Sequence, residues 1–233
     1  MRAYHFLKDD MTAGSGNEPA WVEGEERTYD GPVALCQSGY HSSPSWYDTM
    51  KYAPGYMACI VEVSTPIASD KTKAVSQTRK LITAHNARSV LIRWACDCAE
   101  RALLREREAG REPNIHSWKA VEVARKYAQG DFDVNAVNAA HAAALTATTN
   151  VYAIVAAADA ATYVYAAYAA AVYAAHAAAA YAAAIYAAAA YAAAAYAATA
   201  AYNAARSTAV INAEIEWQRK HLDEMMSVLF TNA

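Results

Sequence analysis

The most chemically suggestive stretch of the chain is Gly39-Tyr40-His41-Ser42-Ser43-Pro44-Ser45-Trp46. An imidazole, three serine hydroxyls and the rings of a Tyr and a Trp stand together there, just after a run that reads as a strand. Loops held by a rigid scaffold carry binding and catalytic groups more often than cores do. Tyr40, His41, Ser42, Ser43 and Trp46 are therefore candidate binding residues. The same letters also fit a turn with Ser-based local capping.

Other reactive groups are less well placed. Cys96-x-Cys98 is the nearest approach to a metal motif. On a helix those thiols point about 200° apart and cannot share a tetrahedral ion. No metal site is expected; Cys98 belongs in the core and Cys96 near the surface. Cys36 and Cys59 fall in candidate strands and read as small buried apolar residues of a reducing compartment. The histidines at 5, 41, 85, 116, 141, 176 and 221 show no H-x-x-x-H or H-E-x-x-H spacing. No G-x-S-x-G, Walker or dinucleotide fingerprint occurs. Gly14-Ser15-Gly16 is an isolated flexible turn. No cofactor follows from these motifs.

The elements that must position these residues form an α+β chain: a small β-rich unit over 1–73, then a helical region over 74–233. Arg2 to Leu7, Pro32 to Cys36 and Met57 to Val63 read as strands, the last being β-branched and alternating. Thr12 to Pro19 and Ser38 to Pro44 read as turns. Gln77 to Ala109 reads as helix. Its Leu91, Trp94, Ala95, Cys98, Ala102 and Leu103 share one face, and Gly110 and Pro113 stop it. Ser117 is placed to cap a short helix running through Tyr127, with Val121, Ala124 and Ala128 inward and Gly130 closing it.

Beyond Gly130 there is neither Gly nor Pro. Residues 134–205 hold 41 Ala, ten Tyr and the single charged residue Asp159, a composition that favours helix. Thr146 to Asn150, Asp159 and the stretch from Tyr202 to Thr208 are candidate breaks between antiparallel helices of an alanine-packed bundle. Tyr163, Tyr168 and Tyr173 recur eighteen residues on as Tyr181, Tyr186 and Tyr191. That interval is five α-turns, while the step of five within a triplet winds Tyr around the helix, which excludes a heptad seam. Tyr168 and Tyr186 stand for this surface as candidate binding residues. Residues 209–230 read as an amphipathic helix, with Ile211, Ile215, Leu222, Met226 and Leu229 on one face and Glu214, Arg219 and Asp223 among those covering the rest.

Charge and hydropathy exclude several classes. The net charge of −3, from 20 basic and 23 acidic residues, does not recommend a nucleic acid. Arg101 to Arg111 balances Arg with Glu and reads as a solvated face. Ala is only marginally apolar and Tyr favours the interface, so 134–205 is not read as membrane-spanning. Met1 to Asp10 is polar and lacks an apolar signal core, which points to the cytoplasm.

The stretches AYHFLKDDMTAGSG, GEERTYDG, CQSGYHSSPSWYDTMKYAPG and CIVEVS together resemble the start of an uncharacterised family of phage and prophage proteins. LIRWACDCAERAL, AVEVARKYAQG and the Ala-rich helix that follows are similar to helical proteins catalogued as immunity proteins. The resemblance implies a phage or mobile-element origin, without an activity to carry over. A shorter pattern looks like an ADP-ribosyltransferase: a strand with His, then G-Y-H-S-S-P, then a strand ending in Glu. In that resemblance a His and a Tyr hold nicotinamide and a Glu polarises the ribose, which implies catalytic roles for His5, Tyr40 or His41, and Glu62. The bland reading of Glu62 is a solvent-facing residue of an alternating strand.

Taken together, the residues point to a non-enzymatic protein that binds another protein, as an immunity, antitoxin or anti-defence factor such as an anti-CRISPR. An NAD-using enzyme on the N-terminal unit is the first alternative, and requires His5, His41 and Glu62 to converge in one cleft. A self-assembling helical protein, packed through its Tyr-Ala faces into a homo-oligomer, is the second.

Overall fold

The computed structural model describes residues 1–108, 110, 112, 115–130 and 208–231. The expected bundle over 134–205, with His141, His176, Tyr168 and Tyr186, lies outside the described residues.

Strands β1 (Arg2–Leu7), β4 (Met57–Val63), β7 (Thr78–Asn86) and β2 (Glu26–Thr28) form an antiparallel sheet in the order β1-β4-β7-β2. A second antiparallel sheet has β6 (Ala74–Ser76) at its centre, between β3 (Tyr40–Ser42) and β5 (Ala68–Ser69). Reciprocal backbone hydrogen bonds between Tyr4 and Ser43, at 3.0 and 2.9 Å, tie the two sheets together. β1 and β4 match the expected strands. Pro32 to Cys36 is not a strand; Ala34 only bridges to Ser38, and Cys36 takes a φ of +65° in a tight turn that no ladder accommodates. Within the expected turn Ser38 to Pro44, residues 40–42 pair with β6.

The stretch 78–86, expected as the start of a helix, is the third strand of the first sheet. β4 presents a full edge of backbone donors and acceptors that burial requires to be paired. Thr78, Ile82 and Thr83 are β-branched and suit that position. The helix α2 therefore begins at Arg88 and runs to Glu108.

Side chains alternate across the first sheet. Phe6, Ala58 and Ile60 face the helices, where they meet α1 (Trp46–Thr49), α2, α3 (Ile115–Ala128) and α4 (Thr208–Thr231) in the larger core. Ala3, Leu7, Cys59, Val61, Val63 and Leu81 face the other way, onto Trp21 and Tyr40. All six residues of the expected α2 face are buried. Cys96 is buried too, contrary to expectation, because helices pack on more than one side of α2. α3 begins at Ile115, so Ser117 lies inside it and is buried there instead of capping it. Val121 and Ala124 are buried as expected, Ala128 is half-buried, and Gly130 closes the helix at φ +99°.

α4 docks through a seam more polar than its pattern suggests. Leu222 and Met226 are buried, with Ile215 and Leu229 packed beside them. Glu214, expected on the solvated side, is wholly buried and bound by Arg101 and Arg105 of α2. Arg219 holds Asp48 of α1 with two hydrogen bonds of 2.9 Å, and His221 meets Asp97 at 2.8 Å. The Trp94 indole N–H donates to the Gln218 carbonyl at 3.1 Å. This seam fixes α1, and with it the loop that leads out of β3. No helix among the described residues is long and apolar enough to cross a membrane.

Candidate functional site

Beside the second sheet lies an open cleft of about 630 Å³. Gly14 to Gly16 and Glu18 border it on one side, the segment from Cys36 to Ser43 on another, and Tyr52, Lys73, His5 and Arg79 also line it. The strand register explains why these residues meet. β1 carries His5, β3 carries Tyr40 to Ser42, and β7 carries Arg79 onto the sheet face away from the helices.

The Cys36 to His41 segment is locked by His41 itself. Its Nε2 accepts the Cys36 N–H at 2.8 Å, so the ring proton sits on Nδ1, which donates to the Gly39 carbonyl at 3.2 Å. Both nitrogens are thus engaged in holding the loop. Burial, followed by the nearby Lys73 and Arg79, keeps the imidazole below its ordinary pKa and neutral, despite the raising effect of the Gly39 contact. Gly39 is required here. Its φ is +95°, and a Cβ would meet Val33 Cγ1 at 2.9 Å and Val75 Cγ2 at 3.0 Å.

Arg79 is the electrostatic centre of the cleft. The residue is 3% exposed and makes one hydrogen bond, from Nη1 to the His41 carbonyl at 3.3 Å. Its guanidinium lies 4.4 Å from the centre of the Trp21 ring and 4.9 Å from that of Tyr40. No carboxylate among the described residues stands within ion-pair distance of it. Glu18 instead pairs with Arg27 at 3.7 Å and faces the Tyr40 hydroxyl. Burial pulls the Arg79 pKa down to about 10, which leaves it charged at neutral pH. Burial and the Glu18 carboxylate push the Tyr40 phenol up to about 12, so it stays protonated. His5 lines the same cleft, and its enclosed Nε2 has no hydrogen-bond partner. Burial, with the charge of Arg79, holds this imidazole well below its ordinary pKa.

The structure sorts the expected site residues. His5, Tyr40, His41, Ser42 and Ser43 all line the cleft. Trp46 does not; it is 4% exposed and stacked on Phe230, a core anchor and no binding surface. Ser45 caps α1, accepting the Asp48 N–H at 3.1 Å, as the capping reading of the loop anticipates. Glu62 is exposed and stands opposite Arg2, three positions along the ladder from the pair His5 and Cys59. Odd spacing puts it on the opposite sheet face from His5, so His5, His41 and Glu62 do not form one site. Cys59, Cys96 and Cys98 are buried thiols whose pKa burial raises, the first two to about 12. Cys36 is exposed, against expectation, at its turn. Among the described residues no group of His, Cys, Asp and Glu is placed to hold a metal ion.

Arg79, Lys73 and Tyr52 were not legible as site residues. Arg79 reads as one of several charges on an expected helix, and only strand geometry aims it at Tyr40. The alternation of Arg79 with Leu81 is the signal that could have found it.

No curated protein and no solved structure matches the chain. Residues 1–93, which span both sheets, the cleft and the first turn of α2, match a family model described as Domain of unknown function (DUF7666).

Proposed function

We propose that the protein acts by binding another protein, with the cleft of the N-terminal unit as its recognition site. The supporting observation is the cleft's lining. Tyr29, Tyr40, Tyr52 and a desolvated Arg79 converge on a preformed, open concavity, and Tyr and Arg dominate the energetics of protein interfaces. The resemblance to phage and immunity proteins supports an immunity, antitoxin or anti-defence role for that binding, in the cytoplasm. The NAD-using alternative loses the Glu62 contribution it relies on, since that carboxylate stands on the opposite face of the sheet.

The test is capture of a partner from bacterial lysate by the tagged full chain, beside the variants Tyr52→Ala and Lys73→Ala. Tyr52 is 46% exposed, so its truncation leaves the core intact. A stoichiometric protein held by the wild type and depleted at least ~10-fold by Tyr52→Ala is the expected result. A partner retained equally by wild type and both variants would overturn the assignment of the cleft.

A further inference from the structure

We infer that the cleft is a binding site for a small oxyanion, a phosphate or a carboxylate. The inference deepens the binding reading by naming the chemical group the cleft takes, and two independent observations support it.

The first is Arg79. A guanidinium removed from water is costly unless it is paired. This one has a single hydrogen bond, to a neutral carbonyl, and two aromatic faces. It lines an open cavity large enough for a small ligand. Its planar fork matches the two oxygens of a carboxylate or phosphate. Lys73, over the Tyr52 ring at 4.4 Å, adds a second cation to the same cleft. Glu18, the acidic residue of the lining, pairs with Arg27 at 3.7 Å.

The second is His5. It lines the same cleft as Arg79, and its buried Nε2 has no hydrogen-bond partner. A polar atom buried in that way is costly. An imidazole nitrogen either donates or accepts, according to tautomer, so Nε2 supplies a second polar contact to a ligand held by Arg79.

The test is titration of the full chain with four probes at pH 7 and matched ionic strength: inorganic phosphate, lactate, acetate and chloride. The indole N–H signal of Trp21, whose ring lies against Arg79, is followed by NMR. Phosphate or a carboxylate is expected to saturate with a dissociation constant on the order of 1 mM, at least ~5-fold tighter than chloride, which lacks the paired oxygens that the Arg79 fork takes. Saturation by phosphate alone identifies a phosphoryl ligand, and by lactate and acetate alone a carboxylate. Arg79→Lys keeps the charge and loses the fork, and should weaken binding ~10-fold. Lys73→Glu leaves the core untouched and should weaken it ~5-fold, which keeps the test decisive if Arg79→Lys fails to fold. Equal, non-saturating shifts with all four probes, or no shift, would overturn the inference. Capture of no stoichiometric partner by the wild type, with saturable phosphate or carboxylate binding intact, would refute the protein-binding reading and leave this one standing.

Discussion

The pair Asp48 and Arg219 joins α1 to α4 across 171 positions of sequence, and a double-mutant cycle on it is predicted to give a coupling of about 2 kcal/mol. The Asp48 side chain is 4% exposed, and both guanidinium nitrogens of Arg219 reach it at 2.9 Å. Ser45 Oγ adds a third bond at 2.7 Å. Hydrogen bonds to charged groups are worth about 1.5–3 kcal/mol net. Breaking a fully buried pair costs about 3–5 kcal/mol. Arg219 keeps 32% of its side chain in solvent, which moves the coupling to the lower figure. Asp48→Asn, Arg219→Gln and the double variant would be unfolded in urea and followed by tryptophan fluorescence. Burial opposes ionisation of Asp48, but the hydrogen bonds from Arg219 and Ser45 outweigh it and lower its pKa. Its stabilisation is therefore full above the unfolded value near 3.8 and is lost as pH falls through the lower folded value. A coupling below about 0.5 kcal/mol, the level of an exposed pair, would refute the docking of α4 on α1 by this contact.

Three further outcomes follow from the same geometry. Glu214→Gln removes the buried carboxylate between Arg101 and Arg105. It should cost about 2 kcal/mol in urea unfolding, moderated because both arginines reach solvent. Gly39→Ala meets a positive φ and two valine side chains; a loss of about 2 kcal/mol is expected in thermal unfolding, with the cleft-facing loop displaced. His5 and His41 both have lowered pKa values. The unfolded chain therefore binds more protons below the ordinary value of 6.5, so stability is full above that pH and falls as pH drops toward the lowered folded values. His41→Gln should reduce the slope of stability against pH just below 6.5, read from urea midpoints at half-unit steps.

Much of the fold was legible where local pattern and burial agree. β1 and β4 carry enough apolar and β-branched residues to declare themselves, and the α2 face from Leu91 to Leu103 is buried as its periodicity implies. β7 was not legible, because Thr78 to Asn86 mixes Arg, Lys and His with three β-branched residues and runs straight into helix. Its strand state depends on β4 needing a second neighbour, a tertiary demand. The register also slips between Ile60 and Val61 opposite Ile82, which breaks the alternation a reader would follow. Glu214 shows the same limit on α4: its partners Arg101 and Arg105 lie more than a hundred residues away. At the site, the density of polar and aromatic side chains in Gly39 to Trp46 singled out a loop whose first half borders the cleft. Its division of labour was invisible, since His41 holds the loop, Ser45 caps α1 and Trp46 anchors the core, while Arg79 arrives from a different strand.

The most direct measurement for the binding account is hydrogen exchange on the full chain, free and in complex with the protein it captures. Binding through the cleft predicts slowed exchange at residues 36–43 and 13–16, the backbone that borders it. Protection confined to residues 134–205, with 36–43 and 13–16 unchanged, would contradict it and move recognition to the Tyr-Ala region.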